Sequence, residues 1–230
     1  RYDVTVVDAD TGMANLLFHA GLSSADTTLH DLLVADPVEG RIPVEEAVYE
    51  RYGMRVVPCG TSLAGFRAAD PGRLRDVVAD LAAETDVLLL DSPATLASRS
   101  AVLPLVLADR TVVVLQPTIP SLSDGLKVAE YARSYGTEPA GGLVNQVRPE
   151  DDVERIGERA ERYLGEALAA VPADEAAREA RRAGEPLLAH APESPAARAY
   201  REAAAAIDVR DGDDGSVADR FRSAVVPEPP

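Results

Sequence analysis

Two aspartates stand where an apolar run near the start of the chain gives way to a glycine turn: Val4-Thr5-Val6-Val7-Asp8-Ala9-Asp10-Thr11-Gly12. A third carboxylate closes a second run, Val87-Leu88-Leu89-Leu90-Asp91. Carboxylates suit hard cations, and a well-placed one can orient water for attack on a phosphoryl group. In open α/β sheets, ligands sit beyond the carboxyl ends of the strands. Acids at two such ends suggest a site for a metal-bound polyphosphate. Taken as residues alone, Asp8 and Asp10 also fit two solvated acids at a loop edge, or caps for the helix that follows. Asp91 also fits a helix N-cap after a buried strand.

The elements that must position these groups alternate along the chain. Val4 to Val7 reads as a buried strand, and Met13 to Ala20 as a short helix. Thr28-Leu29-His30-Asp31 is a capping box for a helix over Leu29 to Val34. Pro43 to Tyr49 reads as helix with proline at its start, and Met54 to Pro58 as a short strand. Ser62 to Ala69 and Pro71 to Glu84 are helical, the second with Leu74, Val77, Val78 and Leu81 on one face. Strands are expected at Asp86 to Asp91, Arg110 to Leu115, Gly141 to Val147 and Ala167 to Val171. Helices are expected at Ser98 to Ala108, Leu122 to Tyr135, Asp151 to Leu164, Ala176 to Ala183, and from Ser194-Pro195 to about Ile207. Such alternation predicts an α/β fold: a mostly parallel sheet with helices on both faces. Residues 1–208 would form that domain, and residues 209–230, Asp/Gly-rich and then Pro-rich, a flexible tail.

Composition narrows the classes. A formal charge of −16 with no basic stripe argues against nucleic-acid binding. Of 23 basic residues one is lysine, against 39 acids, a balance that suits a protein kept soluble in high salt. The single cysteine, Cys59, excludes an internal disulfide and a Cys-rich metal site and points to a reducing cytoplasm. The three histidines are scattered without ligand spacing. No apolar run is long enough to span a bilayer.

Asp8-x-Asp10-x-Gly12-x-x-Asn15-Leu16 resembles the switch I segment of the MinD/ParA family of P-loop ATPases. Leu89-Leu90-Asp91-Ser92-Pro93-Ala94 is similar to that family's Walker B strand, closer to MinD than to ParA. The resemblance covers about residues 2–208. It implies ATP and Mg²⁺ as ligands, with Asp10 serving hydrolysis and, with Asp91, reaching the metal. Asp8 would assist at the nucleotide. Asn145, at the end of Gly142-Leu143-Val144, would read the adenine edge, and a neutral amide can both donate and accept. Val171-Pro172-Ala173-Asp174 resembles the loop over the base, which places Pro172 and Asp174 there.

The family's phosphate loop, ending Gly-Lys-[Ser/Thr], is not among these 230 residues, since Leu126 precedes the one lysine, Lys127. A short preceding segment carrying it is therefore expected. So is a strand leading into it, placed between the switch I and Walker B strands. By itself the chain is expected not to hydrolyse ATP.

What the resemblance implies is an ATP-dependent switch between monomer and homodimer that positions other complexes or the division machinery. The alternative is an interaction module that keeps the fold without a nucleotide site. Val217, Phe221 and Val225 recur every four residues, the spacing of a membrane-binding amphipathic helix, but acidic flanks oppose binding to an anionic surface. A ParA-type DNA ATPase would need a basic surface, and an Fe–S carrier paired cysteines. The protein partner or cargo stays unnamed.

Overall fold

The structure is a computed structural model describing residues 2–22, 24–34, 40–93, 99–165 and 167–209, with only the backbone of residues 99 and 100. Ala94, the expected helix start at Ser98, and the tail segment with Val217, Phe221 and Val225 lie outside the described residues. The chain divides after Leu107 into two compact units, each with its own sheet.

The first unit runs β1 (Val4–Asp8), α1 (Leu16–His19), α2 (Leu29–Leu32), β2 (Tyr49–Arg51), β3 (Met54–Val57), α3 (Leu63–Ala68), α4 (Leu74–Ala82), β4 (Val87–Asp91) and α5 (Arg99–Leu107). Its sheet has the order β2-β3-β1-β4, parallel except for the β2–β3 hairpin. Tyr52 and Gly53, both at positive φ, make the two-residue hairpin turn. Tyr49 was expected to end a helix. Instead one 3₁₀ turn over Val44–Ala47 precedes it, and Tyr49 starts β2. On α4 the expected stripe is in place: Leu74, Val77 and Leu81 are buried.

One expectation fails. β1 and β4 pair directly in register, from Val4 with Val87 to Asp8 with Asp91, and the Ala9 N–H donates to the Asp91 carbonyl at 2.9 Å. No strand lies between the switch I-like and Walker B-like strands. Their backbone groups satisfy each other, which leaves no room for an insertion. The unpaired edge lies instead on the far side of β4, where among the described residues no strand adds on and Leu89 is 48% exposed.

The second unit runs β5 (Arg110–Leu115), α6 (Ile119–Ser134), β6 (Glu138–Val147), α7 (Val153–Leu164), β7 (Ala167–Pro172), α8 (Glu175–Ala183), α9 (Leu187–His190) and α10 (Pro195–Ala206). Its sheet, β5-β6-β7, is wholly parallel. Successive residues of β6 serve opposite faces, as strand geometry requires. Val144 packs with Val113, Leu115 and the α6 and α7 residues Leu122, Ala129, Ile156, Ala160 and Leu164. Leu143 packs with Leu168, Val171 and Ala196, Ala199 and Ala203 of α10. Helices therefore cover both faces, as the alternation predicts.

α6 lies very close to β5, and Gly125 permits it. A Cβ there would sit 2.2 Å from Leu115 Cδ2 and 3.0 Å from Val113 Cγ1. Leu115 is 2% exposed and has no space to retreat into. Alanine gains about 1 kcal/mol of helix propensity over glycine, while overpacking a tight core costs about 1–3 kcal/mol. Gly125→Ala should therefore lower the unfolding free energy in urea despite the better helix former. A stabilised variant would show that α6 can lift off the sheet at no cost.

Candidate functional site

β1 ends in Asp8 because its apolar residues stop there and the chain must leave the sheet. Asp8 is only 1% exposed. Its Oδ2 accepts from the Asn15 N–H at 3.1 Å and the Leu16 N–H at 3.0 Å, which caps the start of α1. Its Oδ1 is buried without a hydrogen-bond partner. Two residues on, Asp10 Oδ1 accepts from the Met13 N–H at 2.9 Å and the Gly12 N–H at 3.3 Å. That bond pair closes the Asp10–Met13 turn. Of the two acids only Asp8 caps the helix that follows; Asp10 closes its own turn instead, and each uses one carboxylate oxygen.

Asp91 lies beside Asp8 in the register of the two parallel strands. Asp8 feels the Asp91 charge, and Asp91 feels that of Asp10. Burial pushes the Asp8 carboxyl up to about 6, the Leu16, Asn15 and Asp10 amides oppose the rise, and the Asp91 charge adds to it. Asp91 is held above the usual carboxylate range by desolvation of its carboxyl and then by the Asp10 charge, with His19 opposing. Under this cluster Cys59 is fully buried, and burial together with the Asp8 charge pushes its thiol up to about 12. It therefore packs as a thiol and has no nucleophilic role.

Among the described residues no three His, Cys, Asp or Glu side chains form a closed metal cage. Mg²⁺ does not need one, because it keeps several waters and takes one or two carboxylates plus phosphate oxygens. A bare buried carboxylate oxygen on Asp8, and two carboxyls, Asp8 and Asp91, held above their usual range first by burial and then by a neighbouring acid's charge, fit such a cation.

The second unit holds the other expected residues, at the carboxyl ends of β6 and β7. Val147 pairs with Pro172, and the Ala173 N–H donates to the Val147 carbonyl at 2.7 Å. Asn145 Oδ1 accepts from the Gln146 N–H at 2.9 Å and from the Tyr200 hydroxyl at 3.2 Å. A backbone N–H can only donate, so this assignment fixes the amide's orientation. Asn145 thus offers its Nδ2 hydrogens, and its acceptor is already engaged. Asp174 Oδ1 accepts from the Ala176 N–H and its Oδ2 from the Ala196 N–H, so one carboxylate caps both α8 and α10. These amides, Ala196 first, hold its pKa below the usual range. Asp174 shapes the loop that carries Pro172; its own oxygens are spoken for.

The residue types gave no warning of two further partners. Tyr200 orients Asn145 from 55 residues away. His30 is 3% exposed, and its Nε2 lies 3.0 Å from the Thr11 carbonyl, inside the switch I-like turn. Neither contact leaves a local spacing signal.

No family model matches the chain. An uncharacterised ATP-binding protein of Methanocaldococcus jannaschii is 36% identical over 205 residues, covering 88% of this chain and 75% of that protein. The solved structure of the cell-division ATPase MinD from Pyrococcus furiosus is 31% identical, with a TM-score of 0.77, over 90% of this chain and 85% of that one. The chain belongs to the MinD/ParA family of ATPases. MinD from Pyrococcus horikoshii, solved with Mg-ADP, superposes with a TM-score of 0.79 at 28% identity, over 90% of this chain and 84% of its own. That Pyrococcus horikoshii protein holds Mg-ADP on the fold this chain shares with it.

The raised Asp8 pKa has a consequence for stability. Between the unfolded value near 4 and the folded value near 6, the folded state binds the extra proton, so this group's stabilisation is full below about pH 4 and is lost as pH rises through 6. The ionised form costs the fold about 3 kcal/mol at neutral pH. Asp8→Asn keeps an oxygen for the two amides and leaves an unpaired group where Oδ1 already lacks a partner. Without nucleotide it should raise the unfolding free energy by about 1–2 kcal/mol at pH 7.5 and by almost nothing at pH 4.5. Urea unfolding at both pH values checks this, and an equal gain at both would contradict it.

Proposed function

We propose that this chain is the main part of a MinD-like switch that binds ATP, dimerises around it and hydrolyses it to position other cellular complexes. The observation that carries the reading is the cluster at the tips of β1 and β4: Asp8 buried with one bare oxygen, Asp91 in register beside it, and Asp10 two residues on, felt by Asp91.

Asp10 orients the water. Attack forms a bond to the γ-phosphorus, the bond from that phosphorus to the bridging oxygen breaks, and ADP and phosphate leave. Asp91 and Asp10 would hold Mg²⁺, which supplies charge neutralisation on the phosphates when bound. Asp8 sets the turn that carries Asp10, by capping α1 with one oxygen. Asn145 donates from Nδ2 to the adenine, and Pro172, on the loop braced by Asp174, lies over the base. The dimer, the cytoplasmic location and an undefined protein partner belong to the same reading. No described helix is long and apolar enough to cross a membrane.

The test is Asp10→Ala in the full-length protein. Turnover should fall by about 10²-fold or more, while ATP affinity stays within a few fold. Unchanged turnover would remove Asp10 from the mechanism. Asn145→Ala should instead weaken ATP binding by about 1–2 kcal/mol with little change in turnover at saturation. An unaltered affinity in titrations of labelled nucleotide would take Asn145 out of the base site.

A further inference from the structure

We infer that His30 is a positioning residue for hydrolysis. Its imidazole ties the switch I-like turn to the loop that leaves β3, and so holds Asp10 in place. This rests on the reading of Asp10 given above.

α2 is fixed before His30 reaches anything. The Leu29 N–H donates to the Pro58 carbonyl at 2.9 Å, which docks the helix start on the exit of β3. The Thr28 N–H and hydroxyl both donate to Asp31 Oδ2, at 2.8 and 2.7 Å, and lock the first turn. The imidazole is therefore delivered into a fixed gap. On one side Nε2 lies 3.0 Å from the Thr11 carbonyl. A carbonyl can only accept, so Nε2 carries the proton. Thr11 stands between Asp10 and Gly12, and Gly12 and Met13 are the residues whose amides bind Asp10 Oδ1. Restraining the Thr11 carbonyl restrains that whole turn.

On the other side the ring fills its space against two glycines. A Cβ at Gly60 would lie 2.8 Å from His30 Nδ1, and one at Gly65 3.1 Å from the same atom. Nδ1 itself is buried without a hydrogen-bond partner. A side chain kept for packing alone would not carry a bare nitrogen into such a place. The bond to Thr11 is the feature that an apolar residue of similar size could not supply. The arrangement makes the β3 exit loop, residues 58–62, and the start of α3 a second handle on Asp10: anything that moves Gly60 moves the ring.

Three variants of the full-length protein separate this from a packing role. His30→Leu keeps bulk and removes the donor. Gly60→Ala keeps the imidazole and pushes it. His30→Gln returns an N–H donor near the Nε2 position. His30→Leu and Gly60→Ala should each lower kcat about tenfold with KM for Mg-ATP unchanged, and speed amide hydrogen exchange at Gly12 and Met13 without nucleotide. His30→Gln should restore kcat to within about threefold. If His30→Leu fails to fold, Gly60→Ala and His30→Gln decide. Wild-type kcat and exchange in Gly60→Ala, or a loss in His30→Gln equal to that in His30→Leu, would overturn the inference. If Asp10→Ala also turns over normally, it is the Asp10 reading that fails; if Asp10→Ala is dead while the donor-free variants stay active, only the role of His30 fails.

Discussion

Placing Asp8 and Asp91 side by side at the ends of two paired parallel strands governs the chemistry and the local stability of the first unit. Parallel neighbours lie about 4.8 Å apart, so two registered carboxylates there repel unless something neutralises them. The protein's own answer is partial. Two backbone amides at the start of α1 bind one oxygen of Asp8, the other oxygen has no partner, and the carboxyl is pushed up to about 6. An apolar pair at these positions would give a more stable fold. The strain is of the kind that a site for a cation and its phosphates relieves when loaded.

The surroundings maintain that arrangement. Val57, which pairs with Val7, and Cys59 are fully buried, and Asp8 itself is 1% exposed, so its environment is poorly solvated. The close approach of α2 to the β3 exit loop and to α3 depends on the absence of side chains at Gly60 and Gly65, where His30 stands. The same device recurs in the second unit, where Gly125 lets α6 settle onto Leu115. In both places a missing Cβ sets how closely an element approaches, and the approach sets where a functional strand or turn lies.

Much of this was readable from the chain. An apolar run that breaks into Asp-x-Asp and glycine marks a strand tip whatever the context, so Asp8, Asp10 and Asp91 were legible, as was the stripe of α4. β2 was not. Pro43 and the acids after it look like a helix start, and the decisive hairpin turn uses Tyr52, an unusual residue for positive φ. The lateral order of the strands was misjudged, because an apolar run states that a strand is buried without naming its neighbours. Tyr200 and His30 were missed for a related reason: each makes its contact through one hydrogen bond to a residue far away in sequence, with whole elements between. The free face of the Asn145 amide was equally hidden, since both oxygen contacts come from outside its own motif or from the backbone beside it.

The strand edges carry the argument one step further. Strands of parallel sheets read as continuous apolar runs because both faces are normally covered. β4 and β5 read that way, yet Leu89 on β4 and Val114 on β5 are 48% and 60% exposed, and among the described residues neither strand has a partner on its outer edge. Neither edge carries the lysines, prolines or bulges with which free edges are usually guarded, apart from one register shift early in β5. Edges so built are suited to pairing, and each belongs to a sheet whose neighbouring strand ends in candidate site residues: Asp8 beside β4, Asn145 beside β5. A strand added to either edge would brace the strand that delivers Asp91 or the one beside Asn145, and so would link completion of that sheet to the placing of its candidate residues.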